Sequence, residues 1–533
     1  MNNMEDQHPK IEIGKDIIES LTLGMYEDCR FIYREYIQNA ADAIDKAIQK
    51  TWLEKGKEEI HVHIDNDKRQ ISISDNGTGI EKNRAVEVLC NIAKSTKRRG
   101  EDKGFRGIGR LGGLGYCNKL IFETSYKGEP FKTILVWDAE LLKLIINNRD
   151  TEELAAEVIE RVTQATFTKE KEDSHYFNVI MDEVTSDDLL DIRSVTDYLS
   201  MVAPVDIRSN FIFRQKIDDF KKKNGLSVDT YNIYVNDEQI YKPYTSVIYE
   251  DNNGGKKKVD DISDVDFLLS KDNEGNIMYW GWYTISSLKG QMKPKNIARG
   301  IRLRKENIQI GDEEICKKFF SKTEDQRFSF YYFGEIHALS KGLIPNSRRD
   351  YFGESPECSD FERRIKQDFL KLKELCYDAQ KVRSSATTLA KGSELRTKIE
   401  EKEKYGYTSQ KERDDLQRQL EEHQKKEEQA KKQLSNVTKK IESANSPLKG
   451  VIERLKPTDT HIKIDVSIVP KTALSSNVMV GKTVYRTDAP IYSAYNKKEK
   501  KLIGKIYAAI SNAIADETMR EALIGSIEKE ITK

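Results

Sequence analysis

The stretch REYIQNAADAID, from Arg34 to Asp45, sets three polar side chains into a segment that is otherwise mostly apolar. Glu35, Asn39 and Asp42 stand at offsets of four and seven residues, so they lie on one face of an α-helix. The surrounding apolar positions are Phe31, Ile32, Ile37, Ala40, Ala41, Ala43, Ile44 and Ala47. Because unpaired carboxylates are costly to bury, this face is either a solvated helix edge or the polar lining of a site.

The composition of the chain bounds the classes of protein to consider. Its 533 residues allow three or four domains of ordinary size. Basic and acidic residues number 89 each, so the net charge gives no general argument for nucleic acid or membrane binding. The start, MNNMEDQHPK, is unlike a secretory signal, and no apolar run reaches the length of a membrane span. We therefore expect no membrane partner.

Cysteine and histidine usage favours a reduced, metal-poor chain. The six cysteines are scattered without a Cys-x-x-Cys pair, which is typical of a cytoplasmic protein with free thiols. His61 and His63 would share one face of a strand. With no third ligand in view, we interpret them as ordinary strand packing rather than a metal site.

Changes of pattern along the chain predict an α+β protein with four domains. Residues 1–204 alternate helical and strand patterns in a mixed layer, and residues 205–356 form a second α+β region with an exposed loop at DNNGGKKKVDD (251–261). Residues 357–446 are charge-rich and helical. Residues 447–533 read as a small α/β domain whose amphipathic helices form either its own core or a subunit contact.

The helical segment is interrupted once, at YGYTSQKERDD. Gly406 can end one helix there, and Ser409 with Glu412 can form a capping box for the next. An antiparallel helical hairpin fits this pattern better than a long parallel dimeric coiled coil, although the pattern permits both.

Three motifs follow one another in the first domain. The helix triplet comes first, and SISDNGTGI (72–80) follows, in which Asp75 ends a strand before Gly77 and Gly79. The third is KGFRGIGRLGGLG (103–115), with Gly104, Gly107 and Gly109. Alone, the second is typical of a hairpin and the third of a tight turn. Their joint order and spacing form a strong signal.

In this order the motifs resemble those of the GHKL ATPases, a family named for gyrase, heat-shock protein 90, histidine kinases and MutL. The resemblance covers about residues 10–200. REYIQNAADAIDK and NIAKSTK are similar to the heat-shock protein 90 (HtpG-like) branch, whereas GFRGIGRLGGLGYC is more similar to MutL and the MORC-type ATPases. The strand SHYFNVIMDEV departs from the family, which has a Gly-Thr near the adenine, so we assign no adenine contact on it.

The resemblance implies a Bergerat-fold α/β sandwich that binds ATP with Mg²⁺. Asn39 would be the protein ligand of the metal, for which oxygen donors are suited. Glu35 would orient or deprotonate the attacking water, and Asp42 would support the same face. Asp75 would accept a hydrogen bond from the adenine amino group, which selects adenine over guanine.

The glycines of the motifs have roles implied by the same resemblance. Gly77 and Gly79 would let the backbone pass close beneath the base, since neither carries a Cβ. The lid that wraps the phosphates with backbone amides would contain Gly104, Gly107 and Gly109. Lys94 would contact a phosphate or the lid; its alternative is a solvent-exposed lysine at a helix end.

The second domain resembles the transducer, or middle, domain of the same family. GLIPNSRRDYF (342–352) is similar to the loop that brings an arginine to the γ-phosphate, where a guanidinium stabilises the transferring group. Arg348 matches best by position and Arg349 second. Lys295 and Arg299 are further candidates upstream.

As a whole, the resemblance implies a slowly hydrolysing, dimeric ATP-operated clamp in the cytoplasm. The first hypothesis is a heat-shock protein 90-like chaperone that acts on protein clients. The alternative is a MORC-like or MutL-like DNA clamp in genome maintenance or in defence against foreign DNA. A nucleotide-gated scaffold without turnover is a third hypothesis, and the intact Glu35 argues against it. The client and the pathway are not encoded in these motifs.

Overall fold

The computed structural model describes residues 12–20, 28–92, 109–148, 150–252 and 255–443, with scattered positions between 495 and 527. The chain divides into two compact units, residues 1–462 and 463–533. The helices of the first unit are α1 (Asp16–Ile18), α2 (Phe31–Gln49), α3 (Lys82–Cys90), α4 (Ala139–Asn147), α5 (Ala155–Val162), α6 (Ile192–Val202), α7 (Arg214–Lys223), α8 (Pro356–Tyr405) and α9 (Gln410–Ser443). The architecture is mixed α+β, as the sequence predicts.

The first sheet has eight strands in the order β5–β4–β3–β6–β2–β1–β7–β8. They are β1 (Glu59–Asp65), β2 (Gln70–Asp75), β3 (Lys119–Ser125), β4 (Phe131–Asp138), β5 (Thr163–Lys169), β6 (Tyr176–Asp182), β7 (Asn232–Val235) and β8 (Glu238–Gln239). Only the pair β1–β7 is parallel among these neighbours. One apolar core joins α2 to the alternating buried residues of these strands.

The first sheet crosses the domain boundary predicted at residue 204. Strands β7 and β8 come from the region assigned to the second domain, yet β7 pairs with β1 from Glu59↔Asn232 to Val62↔Val235. The hydroxyl of Tyr231 also donates a hydrogen bond of 2.7 Å to Oδ1 of Asp45 on α2. The chain therefore returns to the first layer before it builds the second.

The second layer contains a five-stranded sheet in the order β11–β12–β15–β13–β14. Its strands are β11 (Asp264–Lys271), β12 (Ile277–Ile285), β13 (Gly300–Lys305), β14 (Ile308–Ile310) and β15 (Phe333–Ala338). Beside it, β9 (Val247–Asn252) and β10 (Gly255–Asp261) form an antiparallel ribbon. The expectation of a loop at 251–261 is thus wrong, because the solvent-facing lysines of β10 hide its strand pattern.

A buried ionic cluster lies where the two layers meet. Glu335 on β15 forms an ion pair with Nε of Arg304 at 2.6 Å and accepts a hydrogen bond from Nζ of Lys242 at 3.0 Å. All three side chains are buried. Arg304 also donates to the backbone carbonyl of Met201 on α6, at 2.6 Å. Its guanidinium therefore ties the second sheet to the first layer.

Helices α8 and α9 form the predicted antiparallel hairpin. Helix α8 ends at Gly406, whose φ of +98° suits a residue without Cβ, and the hydroxyl of Ser409 accepts from the N–H of Glu412 at 3.1 Å. Between the helices, the buried Glu427 accepts hydrogen bonds from Arg396 at 2.7–3.1 Å. A polar pair thus replaces apolar packing in this stretch.

Most of the predicted C-terminal domain (447–533) lies outside the described residues. In the second unit, the buried Tyr507 and Ile524 pack with Tyr495, Ile503 and Ile527 in a small apolar cluster. The boundary between the two compact units lies at 462/463.

Candidate nucleotide-binding site

Asp75 is positioned by the alternation of strand β2. Every second residue of β2 is buried, so the side chain of Asp75 continues the buried row of Ile71 and Ile73 at the end of the strand. Its Oδ1 accepts a hydrogen bond of 2.8 Å from the N–H of Gly77. The N–H of Thr78 donates to the carbonyl of Ala43 on α2 at 3.2 Å, which fixes the turn against the helix.

The two glycines of this turn are required by close contacts. A Cβ at position 77 would lie 2.6 Å from the backbone carbon of Ala43. Gly79 has a φ of +62°, and a Cβ there would lie 1.9 Å from the carbonyl oxygen of Ser125. The turn therefore passes between α2 and strand β3 with no room for larger residues.

A cavity of about 290 Å³ opens between α2 and this turn. Four residues predicted from the sequence line it together: Asn39, Asp42, Asp75 and Gly79. Its apolar wall includes Ile80, Leu89 and Phe177. A concave site with an apolar wall and a few converging polar groups is the usual form of a small-molecule pocket.

Phe177 occupies the place where the sequence departs from the family pattern. It lies directly opposite Asp75 in the β2–β6 pairing, so the two side chains share one face of the sheet. An aromatic ring, rather than a hydroxyl, thus stands beside the carboxylate at this edge of the cavity. The neighbouring His175 contacts the carbonyl oxygen of Gly77 through Nδ1 at 2.8 Å.

Gly109, at the end of the glycine-rich motif, lies against Glu35. A Cβ on Gly109 would stand 2.4 Å from Oε2 of Glu35. The hydroxyl of Tyr36, the next residue of α2, holds the segment by donating to the carbonyl of Arg110 and accepting from the N–H of Gly113, each at 3.1 Å. Lys94, Gly104 and Gly107 lie outside the described residues.

Glu35 stands between two guanidinium groups. Its Oε1 lies 3.6 Å from Nη2 of Arg34 and 3.5 Å from Nε of Arg349. The same oxygen is buried and makes no hydrogen bond within the part of the chain that the structure describes. It therefore has the capacity to accept a hydrogen bond from a further donor, such as a water molecule.

The two arginines of the loop 342–352 face different ways. Arg349 is buried, and burial lowers its pKa, with the carboxylate of Glu35 opposing that shift. The side chain of Arg348 is exposed, while its backbone carbonyl accepts a hydrogen bond of 3.2 Å from Nη2 of Arg34. The structure thus places Arg349, the second choice from sequence, beside Glu35.

The other predicted cations do not reach the cavity. Lys295 is exposed, and the guanidinium of Arg299 lies over the ring of Phe330 at 4.1 Å and 3.4 Å from Glu313. Sequence reasoning also missed the cations that line the cavity, which are Lys46, Lys50, Arg84 and Arg110. Of these, Arg110 directly follows the last glycine of the Gly-x-Gly motif. Only this adjacency in the sequence could have indicated it.

The interpretation of His61 as strand packing agrees with its surroundings, since its ring stacks on Tyr234 with centroids 4.7 Å apart. Across the described ranges, the His, Cys, Asp and Glu side chains form no group of three that could hold a metal ion. No helix within those ranges is long and apolar enough to cross a membrane.

Residues 29–175 match the family model of the histidine kinase-, DNA gyrase B- and HSP90-like ATPases. This stretch contains the α2 triplet, the Asp75 turn and the glycine-rich motif. Residues 29–175 are therefore a GHKL-type ATPase domain, as the motifs imply.

Within this class, the chain is similar to chaperone protein HtpG. It is 30% identical over 145 residues to HtpG of Shewanella denitrificans, and 29% identical over 143 residues to HtpG of Escherichia coli strain K12. Each match covers 24% of this chain and 23% of the relative. The chain thus matches about a quarter of the length of these curated relatives.

Proposed function

We propose that the protein is a Mg²⁺-dependent ATPase that works as a dimeric, heat-shock protein 90-like clamp and chaperone. The observation that carries the proposal is the cavity beside α2, where Asn39, Asp42 and Asp75 converge. Glu35 lies one helical turn before Asn39, and its contact with Arg349 would add the groups that turnover requires.

The residues present fit an adenine nucleotide with its metal ion. Asp75 supplies a buried acceptor for an amino group, beside the apolar Phe177 and Leu89 that suit a base. Asn39 and Asp42 supply the oxygen donors that Mg²⁺ prefers. Gly109 lies so close to Glu35 that a Cβ would clash with the carboxylate, so only glycine lets the glycine-rich motif pack against this side chain. When bound, Mg²⁺ would neutralise charge on the phosphate oxygens.

In the proposed mechanism, Glu35 acts on water and Arg349 acts on the phosphoryl group. The buried Oε1 of Glu35 would accept a proton or hydrogen bond from the attacking water. Arg349, 3.5 Å away, would stabilise the charge that spreads over the transferred phosphoryl group. Because Arg349 belongs to the loop 342–352, turnover would require that loop to dock on α2, which would make hydrolysis slow.

The chaperone role is supported by the name of the relatives, chaperone protein HtpG. We propose a homodimer in the cytoplasm that acts on protein clients, with the binding energy of ATP used to close the clamp. Dimer contacts would come from the C-terminal region, residues 447–533. The helical hairpin α8–α9 follows the second sheet in the chain and shares its apolar core through residues such as Phe369 and Val437.

The second candidate is an ATP-gated DNA clamp. It is favoured by three consecutive exposed lysines on β10, Lys256 to Lys258, since phosphate contacts come from exposed cations. One of them, Lys258, pairs with Asp261 at 2.7 Å, which reduces the charge available to a phosphate. We therefore prefer the chaperone.

Steady-state ATP hydrolysis by the full chain would test the proposal in three conditions: alone, with an unfolded client protein, and with duplex DNA. We expect Mg²⁺-dependent turnover that the client stimulates. Stimulation by DNA alone, with a steep dependence on salt concentration, would replace the chaperone by the DNA clamp. Absence of ATP binding by calorimetry would overturn both candidates.

A further inference from the structure

Arg110 belongs to the glycine-rich motif 103–115, and its backbone contacts α2. It follows Gly109, the glycine that lies against Glu35. Its carbonyl oxygen accepts a hydrogen bond of 3.1 Å from the hydroxyl of Tyr36. Its backbone is therefore fixed on the helix that also carries Asn39.

The side chain of Arg110 runs along the cavity towards the end of α3. Its Nη2 donates to the carbonyl of Asn91 at 2.6 Å, and the residue lines the same cavity as Asn39 and Asp42. Its Nε makes no hydrogen bond, and no carboxylate forms an ion pair with it, among the residues that the structure describes.

Arg110 is partly buried, and withdrawing a guanidinium from water without a partner anion is costly. Burial lowers the pKa of Arg110 to about 10, so the side chain remains a cation at neutral pH. The carbonyl of Asn91 occupies part of its donor capacity, since an arginine has five N–H groups. The remaining donor capacity, and a positive charge that no carboxylate among the described residues offsets, fit an anionic ligand.

We infer that Arg110 is a nucleotide-binding residue that donates hydrogen bonds to the phosphate oxygens of the bound nucleotide. The inference rests on the proposed ATP site and adds a cation that the motif pattern does not assign. Guanidinium groups bind phosphates through planar, paired hydrogen bonds. Arg110 would therefore distinguish nucleotides from nucleosides, whereas Asp75 would select the base.

A purely structural role is the competing explanation. In that case Arg110 only stabilises the end of α3 by its hydrogen bond to the carbonyl of Asn91. Removal of the Arg110 side chain would then disturb the whole cavity. Adenosine separates the two roles, because it occupies the base and sugar region without any phosphate.

The test is calorimetric titration of the full chain with ATP and Mg²⁺, and separately with adenosine. The variants are R110M, which keeps the apolar stem, R110K, which keeps a charge, and R161M, which removes an arginine on α5 that pairs with Glu153. We expect R110M to weaken ATP binding tenfold or more and adenosine binding less than about twofold, since a hydrogen bond to a charged group has that magnitude. R110K should recover part of the loss, and R161M should match the wild type.

Equal losses for ATP and adenosine in R110M would overturn the inference in favour of the structural role. So would unchanged ATP binding. If the wild-type chain bound neither ligand, the proposed function itself would fail, which is a distinct outcome. Thermal unfolding of each variant without nucleotide identifies any loss that comes from misfolding.

Discussion

The Nε of Arg349 lies 3.5 Å from Oε1 of Glu35, although the two residues belong to different layers of the protein. A second contact accompanies it, since Arg34 donates to the backbone carbonyl of Arg348 at 3.2 Å. Two neighbouring residues of α2 therefore contact two neighbouring residues of the loop 342–352. In the proposed mechanism, the site is complete only while this loop is docked.

Substitution of the two loop arginines should have unequal effects. Arg349→Ala is expected to reduce turnover about a thousandfold, because it removes a cation that would stabilise the transition state. Arg348→Ala should stay close to wild type, since that side chain is exposed. Steady-state ATPase rates at saturating ATP measure the difference. Equal losses would show that the loop as a whole, rather than one guanidinium, is needed.

Removal of the proposed base should separate binding from turnover. Glu35→Gln keeps the size and one acceptor oxygen of the side chain but loses the carboxylate. We expect about a hundredfold or greater loss of turnover with ATP affinity within a few-fold of wild type. Rapid-quench kinetics would measure the loss of turnover, and calorimetry on the same preparation would measure the ATP affinity. Normal hydrolysis by this variant would refute the role assigned to Glu35.

Asp75→Asn should weaken adenine nucleotide binding rather than turnover alone. The amide puts a donor where an amino group of the base would also donate, so we expect a loss of at least about tenfold in affinity. Titration with ATP and with adenosine should give the same loss, because the contact is to the base. Asp67→Asn, at an exposed aspartate in the preceding turn, is the matched control. A loss for ATP but not for adenosine would place Asp75 near the phosphates instead.

The turn at Gly79 offers a test of packing with an internal control. Gly79 and Gly128 both have positive φ, at +62° and +94°, but their surroundings differ. A Cβ at position 79 would lie 1.9 Å from the carbonyl oxygen of Ser125, whereas one at position 128 would meet no atom within 4 Å. Gly128→Ala should cost about 1 kcal/mol of unfolding free energy from backbone strain. Gly79→Ala should cost clearly more, because the chain must also move away from Ser125. Urea unfolding of both variants measures the difference, and equal values would contradict the contact.

The stability of the second sheet should depend on acid pH through Glu335. Burial alone would raise its pKa, but Arg304, Lys242 and His337 outweigh burial and hold the pKa well below the usual value of 4.5. The charged form is thus favoured by folding. Its contribution is present above about pH 4.5 and is lost as the pH falls towards the folded-state pKa.

Glu335→Gln should therefore destabilise the protein at pH 7 by about 3–5 kcal/mol, since it leaves two buried cations without their anion. The gap from wild type should narrow below pH 4.5. Denaturant unfolding as a function of pH tests both points, with the exposed Glu172→Gln as control. A gap that stayed constant with pH would mean that folding does not shift the pKa of Glu335.

The motifs of the first domain could be found from sequence because periodicity determines which side chains share a face. The spacing of Glu35, Asn39 and Asp42 on a helix, and the alternation that ends at Asp75, need no tertiary information. The choice between Arg348 and Arg349 does require tertiary information. Arg349 has a φ of +55°, and the residue type gives no sign of this turn of the backbone.

The pairing of strands that are distant in the chain could not be predicted from the sequence either. The strand YNIYV would have the same local pattern in either sheet. Only its pairing with β1 shows that it belongs to the first sheet. Arg110 was missed for a similar reason, since its burial depends on where the end of α3 lies. The departure at SHYFNVIMDEV was visible, but the position of Phe177 opposite Asp75 required the strand register.

The parallel pairing of β7 with β1 has a practical consequence for fragments of this protein. Truncation at residue 204 would remove β7 and leave one edge of β1 without its partner strand. Such a fragment should aggregate in solution, whereas a fragment that continues through residue 240 keeps the edge of β1 paired with β7.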